Sequence, residues 1–137
     1  MIIIIRTLVL FINYGDFIMN REQSIHFIKD LFSEVWDSLD EAKVVKYYHK
    51  DVVAQFGQQT AYYKDIEHRL QYVKKHFGTL KSDIKEILVD GDKVTVRLEQ
   101  QLGKSDKKFE IITIYQIRDE KISAMWACID PQINYFE

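Results

Sequence analysis

The sequence predicts an α+β domain, with helices in the N-terminal half and long antiparallel strands in the C-terminal half. Two observations carry that reading. Before residue 80, apolar side chains mostly return every three or four positions, the period of a helix face. After residue 80 they alternate, and the turn sequences "DGDK", "GKSD" and "DEK" separate the runs. Helices collected on one side of an antiparallel meander make a two-layer α+β arrangement.

The first helix is predicted over residues 21–37, where Ile25, Ile28, Phe32 and Val35 form a stripe that continues to Leu39 and is widened by Phe27 and Leu31. A second helix is expected from "SLDE", in which Ser38 and Glu41 have capping-box spacing, running to about Tyr48. Almost no linker separates the two, so they should form a tight bent pair. "DVVAQFGQQTAYY" is extended, and Gly57 interrupts it as at a bend. The third helix spans 65–77 on Ile66, Leu70, Val73 and Phe77, and Gly78 follows as its C-terminal cap. Then come the strands. Ile84, Ile87 and Val89 lead into "DGDK"; "KVTVRLEQQL" and "KKFEIITIYQI" flank "GKSD"; "KISAMWACI" is the last and Pro131 ends it. The stretch "EIITI" is apolar on both faces, which predicts that both faces of the central strands are covered.

Composition excludes several functions. With 137 residues, 47% hydrophobic, 29% charged and a net charge of −2, the chain reads as one soluble domain with no basic face for nucleic acid. Cys128 is the sole cysteine, so no internal disulfide forms, and no Cys/His spacing suggests a metal site. These features fit a cytoplasmic protein. Eight Tyr, eight Phe and two Trp are enough to line a small-molecule cavity as well as a core. "MIIIIRTLVLFI" is too short to span a bilayer and lacks the flanks of a signal peptide. Residues 1–18 are therefore expected to be an extension outside a domain of residues 19–137, with a membrane tether as the rival reading.

Four stretches, in their order, resemble the nuclear transport factor 2-like superfamily and its SnoaL-like branch of polyketide cyclases and ketosteroid isomerase-like proteins. They are "WDSLDEAKVVKYYHKDVV", "YKDIEHRLQYVKKHF", "GDKVTVRLEQQLG" and "RDEKISAMWACID". The resemblance covers about residues 21–131. It implies a cone: a curved antiparallel sheet wrapped around three helices and enclosing an apolar cavity, often in a homodimer joined through the outer sheet face. It implies a small, largely apolar ligand and, where there is catalysis, cofactor-free isomerisation, cyclisation or hydrolysis using a carboxylate base.

Arg97 and Glu99 lie two apart on one strand, so they share a face. Their spacing resembles the arginine and acid of the epoxide-hydrolase branch. That branch's second acid would fall near Cys128, and Asp130 is the substitute. The ketosteroid isomerases' first-helix tyrosine is missing, since no Tyr lies between residues 21 and 37. The cyclase pattern of Asp and His points to Asp130 and His49. The catalytic candidates are thus Arg97, Glu99 and Asp130. For ligand binding they are Trp126 as a cavity wall, Gln55 on the first strand, His49, and Tyr48 and Tyr63 beside that strand. Pairing through "GKSD" sets Arg97 against Ile112 and Thr95 against Ile114, so this face should be covered by the pocket or by a partner. The competing class is a dimerising module without catalysis, its cavity filled by aromatic side chains.

Overall fold

The computed structural model describes residues 18–130. The expectations for residues 1–17 and for Pro131 fall outside that range. Helix α1 (Arg21–Leu31) starts at Asn20, whose side chain accepts a 2.8 Å hydrogen bond from the Gln23 amide. Gln23 Oε1 accepts from the Asn20 amide in return. This capping box satisfies two amides that the helix cannot. A π-helical turn (Phe32–Trp36) continues α1, and the Asp37 amide reaches back to the Phe32 carbonyl at 2.8 Å.

The second helix differs from its prediction. Ser38 does not cap it; its hydroxyl donates to the Ser33 carbonyl. Asp40 is the cap, accepting from the Ala42 amide, and a 3₁₀ turn (Glu41–Lys43) leads into a single α-turn, α2 (Val44–Tyr47). Tyr48 already belongs to a strand, because its side chain is drawn fully into the core.

Among the described residues six strands make one sheet. They are β1 (Tyr48–Phe56), β2 (Gln59–Tyr62), β3 (Leu80–Asp90), β4 (Lys93–Leu102), β5 (Lys108–Arg118) and β6 (Lys121–Ile129), and helix α3 (Tyr63–His76) falls between β2 and β3. Their order across the sheet is β2-β1-β6-β5-β4-β3. Every neighbouring pair is antiparallel except β1 and β6, which run parallel. Register shifts in β1/β6, β3/β4 and β5/β6 bend the sheet into an open curve.

The helices cover the concave face. Ile28, Leu31, Phe32, Val35 and Trp36, together with Ile66, Leu70 and Val73 of α3, are buried in one core with Val94, Val96 and Leu98 of β4, Ile111 and Tyr115 of β5 and Met125 of β6. Among the described residues the convex face has no such cover. Ile112, Ile114, Trp126 and Val53 stand on it, each at least 37% exposed. The two-sided apolar character of "EIITI" is real, but only one of its sides is covered by the described residues.

Candidate functional site

Where α3 crosses the curved sheet, the packing leaves a hollow. Its walls come from Phe32 and Trp36, from Phe56 and Ala61, from Asp65, Ile66 and Arg69, and from the inward residues of β4, β5 and β6 between Leu98 and Ile129. It offers about 40 Å³ of water-sized room and about 520 Å³ of empty space when the open mouth is counted. The smaller figure corresponds to about three water molecules.

Polar groups converge in this apolar shell. Arg69 sits on the inward stripe of α3, three residues after Ile66 and one before Leu70, and is only 7% exposed. Its guanidinium lies 5.2 Å from the Phe56 ring centre and 5.6 Å from that of Trp36. Aromatic faces attract a cation, and more strongly away from water. Gln100 continues the inward parity of Val94, Val96 and Leu98 and is buried, its Nε2 donating to Ser82 Oγ at 3.0 Å. Thr113, 1% exposed, lies inward on β5 between Ile111 and Tyr115. Its Oγ1 acts on the ionisation of the nearby Tyr115 hydroxyl, yet has no partner in hydrogen-bond geometry. Asp65 stands on the wall, its Oδ2 accepting from the Tyr62 amide at 2.7 Å.

Two buried phenols complete the setting. Tyr48 Oη accepts a 3.0 Å hydrogen bond from Trp36 Nε1. Burial drives the Tyr48 pKa far above its ordinary value, and the Trp36 bond and the Arg69 charge only partly oppose this. Tyr115 is raised too, first by burial and then by Tyr48. Both therefore keep their protons at neutral pH.

The sequence candidates lie mostly elsewhere. Arg97 pairs with Ile112 and Thr95 with Ile114, the register expected from the "GKSD" turn. That register, however, turns Arg97 and Glu99 to the convex face. The pleat sends Val94, Val96 and Leu98 inward, so the intervening residues must point out. The expectation that this pair lines the apolar cavity is thereby corrected. Arg97 is 42% exposed and meets Glu86 at 3.3 Å and Glu110 at 3.8 Å. Glu99 faces Asp83 on one side and Glu110 on the other, and borders a polar depression of about 320 Å³. That depression is larger than the hollow, but it is walled mainly by solvated lysines and acids, so it binds water before it binds an apolar molecule.

Trp126 also lies on the convex face, beside Gln55 and Ile114, and is not a cavity wall. Gln55 accepts from the Thr60 hydroxyl there. Cys128 is exposed, opposite Ile112. Asp130 follows β6, its amide donating to the Glu110 carbonyl at 3.3 Å. His49 and Tyr63 are half-buried at the start of β1 and of α3, and neither lines the hollow. Tyr48 does not line the hollow either, but it accepts a hydrogen bond from the lining residue Trp36. The polar residues that do meet, Arg69, Gln100 and Thr113, have one sequence signal in common: each is polar at a position where the period demands an apolar side chain.

Comparison with known proteins follows the same geometry. The sequence model of the SnoaL-like domain matches residues 28–125. No curated protein gives a significant match. Among solved structures, a candidate polyketide cyclase from Bacillus cereus superimposes with a TM-score of 0.70 at 20% identity, over 83% of this chain and 80% of that one. A candidate SnoaL-like polyketide cyclase from Jannaschia gives 0.69 at 17%, over 82% and 91%. An LEH-like epoxide hydrolase of Mycobacterium tuberculosis gives 0.67 at 15%, over 80% and 84%.

Proposed function

The chain belongs to the SnoaL-like domain family, and from that premise we propose that it binds a small, largely apolar molecule in the hollow beneath α3. One observation carries this reading. The Thr113 hydroxyl is buried without a hydrogen-bond partner in an apolar wall, an arrangement that costs stability unless a guest supplies the bond. The Arg69 guanidinium on α3 and the Gln100 amide line the same space. The structural neighbours named as cyclases and an epoxide hydrolase agree with it at the level of fold.

The chemistry that suits this room is proton transfer without a cofactor. Asp65 is the carboxylate among the described lining residues and takes the role of base that the sequence suggested for Glu99 or Asp130. Arg69 stabilises negative charge developing on oxygen. A thermal-shift screen of small ketones, epoxides and acids tests the reading. A stabilising compound should lose its effect in Ala127→Leu, which fills the hollow from β6, and keep it in Arg97→Leu. A shift that survives filling places the guest elsewhere and ends the proposal.

The convex face favours a second reading, compatible with the first: homodimerisation. Val53, Ile112, Ile114 and Trp126 lie exposed on adjacent strands, bordered by Arg97 and by the acids Glu86, Glu99 and Glu110. A two-fold axis through such a face can set Arg97 of one copy against acids of the other. A cytoplasmic location and freedom from the membrane belong to the same reading. Among the described residues no helix is long and apolar enough to cross a bilayer.

A further inference from the structure

The hollow's polar lining consists of one cation, Arg69, one carboxylate, Asp65, and the neutral groups of Gln100, Thr113 and Tyr115. Arg69 brings a full positive charge into a wall made mostly of aromatic and aliphatic side chains. A charge held away from water acts on a counter-charge several times more strongly than one at the surface. Across the space, Thr113 Oγ1 offers a hydroxyl with no partner. Tyr115 lines the same wall, and its proton stays on at neutral pH because burial resists its loss. The carboxylate present, Asp65, already accepts from the Tyr62 backbone.

Resting on the ligand-binding reading above, we propose that the hollow takes the head of an organic acid: a planar oxyanion, carboxylate in kind, seated between the Arg69 guanidinium and the Thr113 hydroxyl. The room fits it. About 40 Å³ accommodates the few heavy atoms of a carboxylate head and little more. The apolar body then lies along the mouth, where Phe56 and Ile129 are half-exposed. A guanidinium meets a carboxylate through two parallel N–H···O bonds, a geometry that neutral carbonyl groups cannot match.

The test uses the full-length protein and matched pairs of probes that share a body and differ only in the head. These are 2-naphthoate against 2-acetonaphthone, benzoate against acetophenone, and octanoate against 2-nonanone, followed by calorimetry. The acid should bind roughly tenfold to a hundredfold more tightly than its ketone, the span expected for charge-assisted hydrogen bonds. Arg69→Met should erase the preference and Arg69→Lys should keep part of it. Thr113→Val should weaken the acid more than the ketone, and it serves where Arg69→Met fails to fold. Lowering the pH through the probe's own carboxyl pKa should remove the preference in every protein that shows it. A ketone that binds as tightly as its acid overturns the oxyanion assignment and leaves the ligand-binding reading standing. A series in which no acid and no ketone binds overturns both.

Discussion

Trp36 Nε1 and Tyr48 Oη lie 3.0 Å apart, joining the π-helical turn after α1 to the first residue of β1. Both side chains are buried, so each satisfies a polar group of the other that water cannot reach. Tyr48→Phe removes the acceptor but keeps the ring. It leaves the indole N–H buried and unpaired, at a cost of about 1–3 kcal/mol. Urea unfolding should show the lower midpoint, and Trp36→Phe in the same background should recover part of the loss. Additive losses in that double-mutant cycle would mean the bond contributes nothing.

Thr113→Val should behave in the opposite way when no ligand is present. It replaces a buried hydroxyl lacking a partner with a methyl of nearly the same shape. The variant should be as stable as the parent or up to about 1 kcal/mol more stable. Thermal and chemical denaturation measure this, and a clear loss of stability would reveal a bond to that oxygen.

Asp37 gives a pH signature. Burial raises its carboxyl pKa, partly opposed by hydrogen bonds from Ser82 and by the Lys81 charge. The folded state therefore binds the proton more tightly than the unfolded state. Between the ordinary carboxylate pKa and the raised one, the native form holds more protons, so stability falls as pH rises through that window. Asp37→Asn should be more stable than the parent at neutral pH, and the gap should close as pH drops below the window. Melting temperatures across pH 3.5 to 7 check it, and a gap that is constant with pH would assign the gain to another cause.

On the convex face, Trp126→Glu should convert any dimer to monomer in sedimentation, because it sets a charge in the middle of the exposed apolar row. Arg97→Ala should change monomer stability by less than about 1 kcal/mol, since its ion pairs with Glu86 and Glu110 are solvated. Unaltered self-association in the Trp126 variant would retire this face as the interface.

The fold and the site differ in how far the sequence reveals them. Period and turn chemistry suffice for the helices and for the β4–β5 register, down to Arg97 against Ile112. They do not reveal that β1 lies against β6, because 73 residues separate the first positions of those two strands (48 and 121) and no local pattern encodes a pairing across them. The site is hidden for another reason. A search for chemistry is drawn to conspicuous charges, and in β4 these are Arg97 and Glu99. The pleat assigns the inside to the apolar set, and with it to Gln100. Arg69 interrupts an apolar stripe that reads well enough without it, so its one local mark, a polar residue at an apolar position, is easily passed over. In "SLDE" both Ser38 and Asp40 can act as caps, and only the turn of the chain after the π-helical segment selects Asp40.

The parallel joining of β1 to β6 also sets a timetable. On the ribosome, the helices and the β1–β2 hairpin emerge first, but the strand that completes the middle of the sheet is made last. Until residues 121–129 leave the exit tunnel, β1 has an open hydrogen-bonding edge and an apolar flank that must be kept from other nascent chains. Closing of the sheet therefore waits for its last strand, and chains released before that strand is made are the ones that chaperones and proteases must handle.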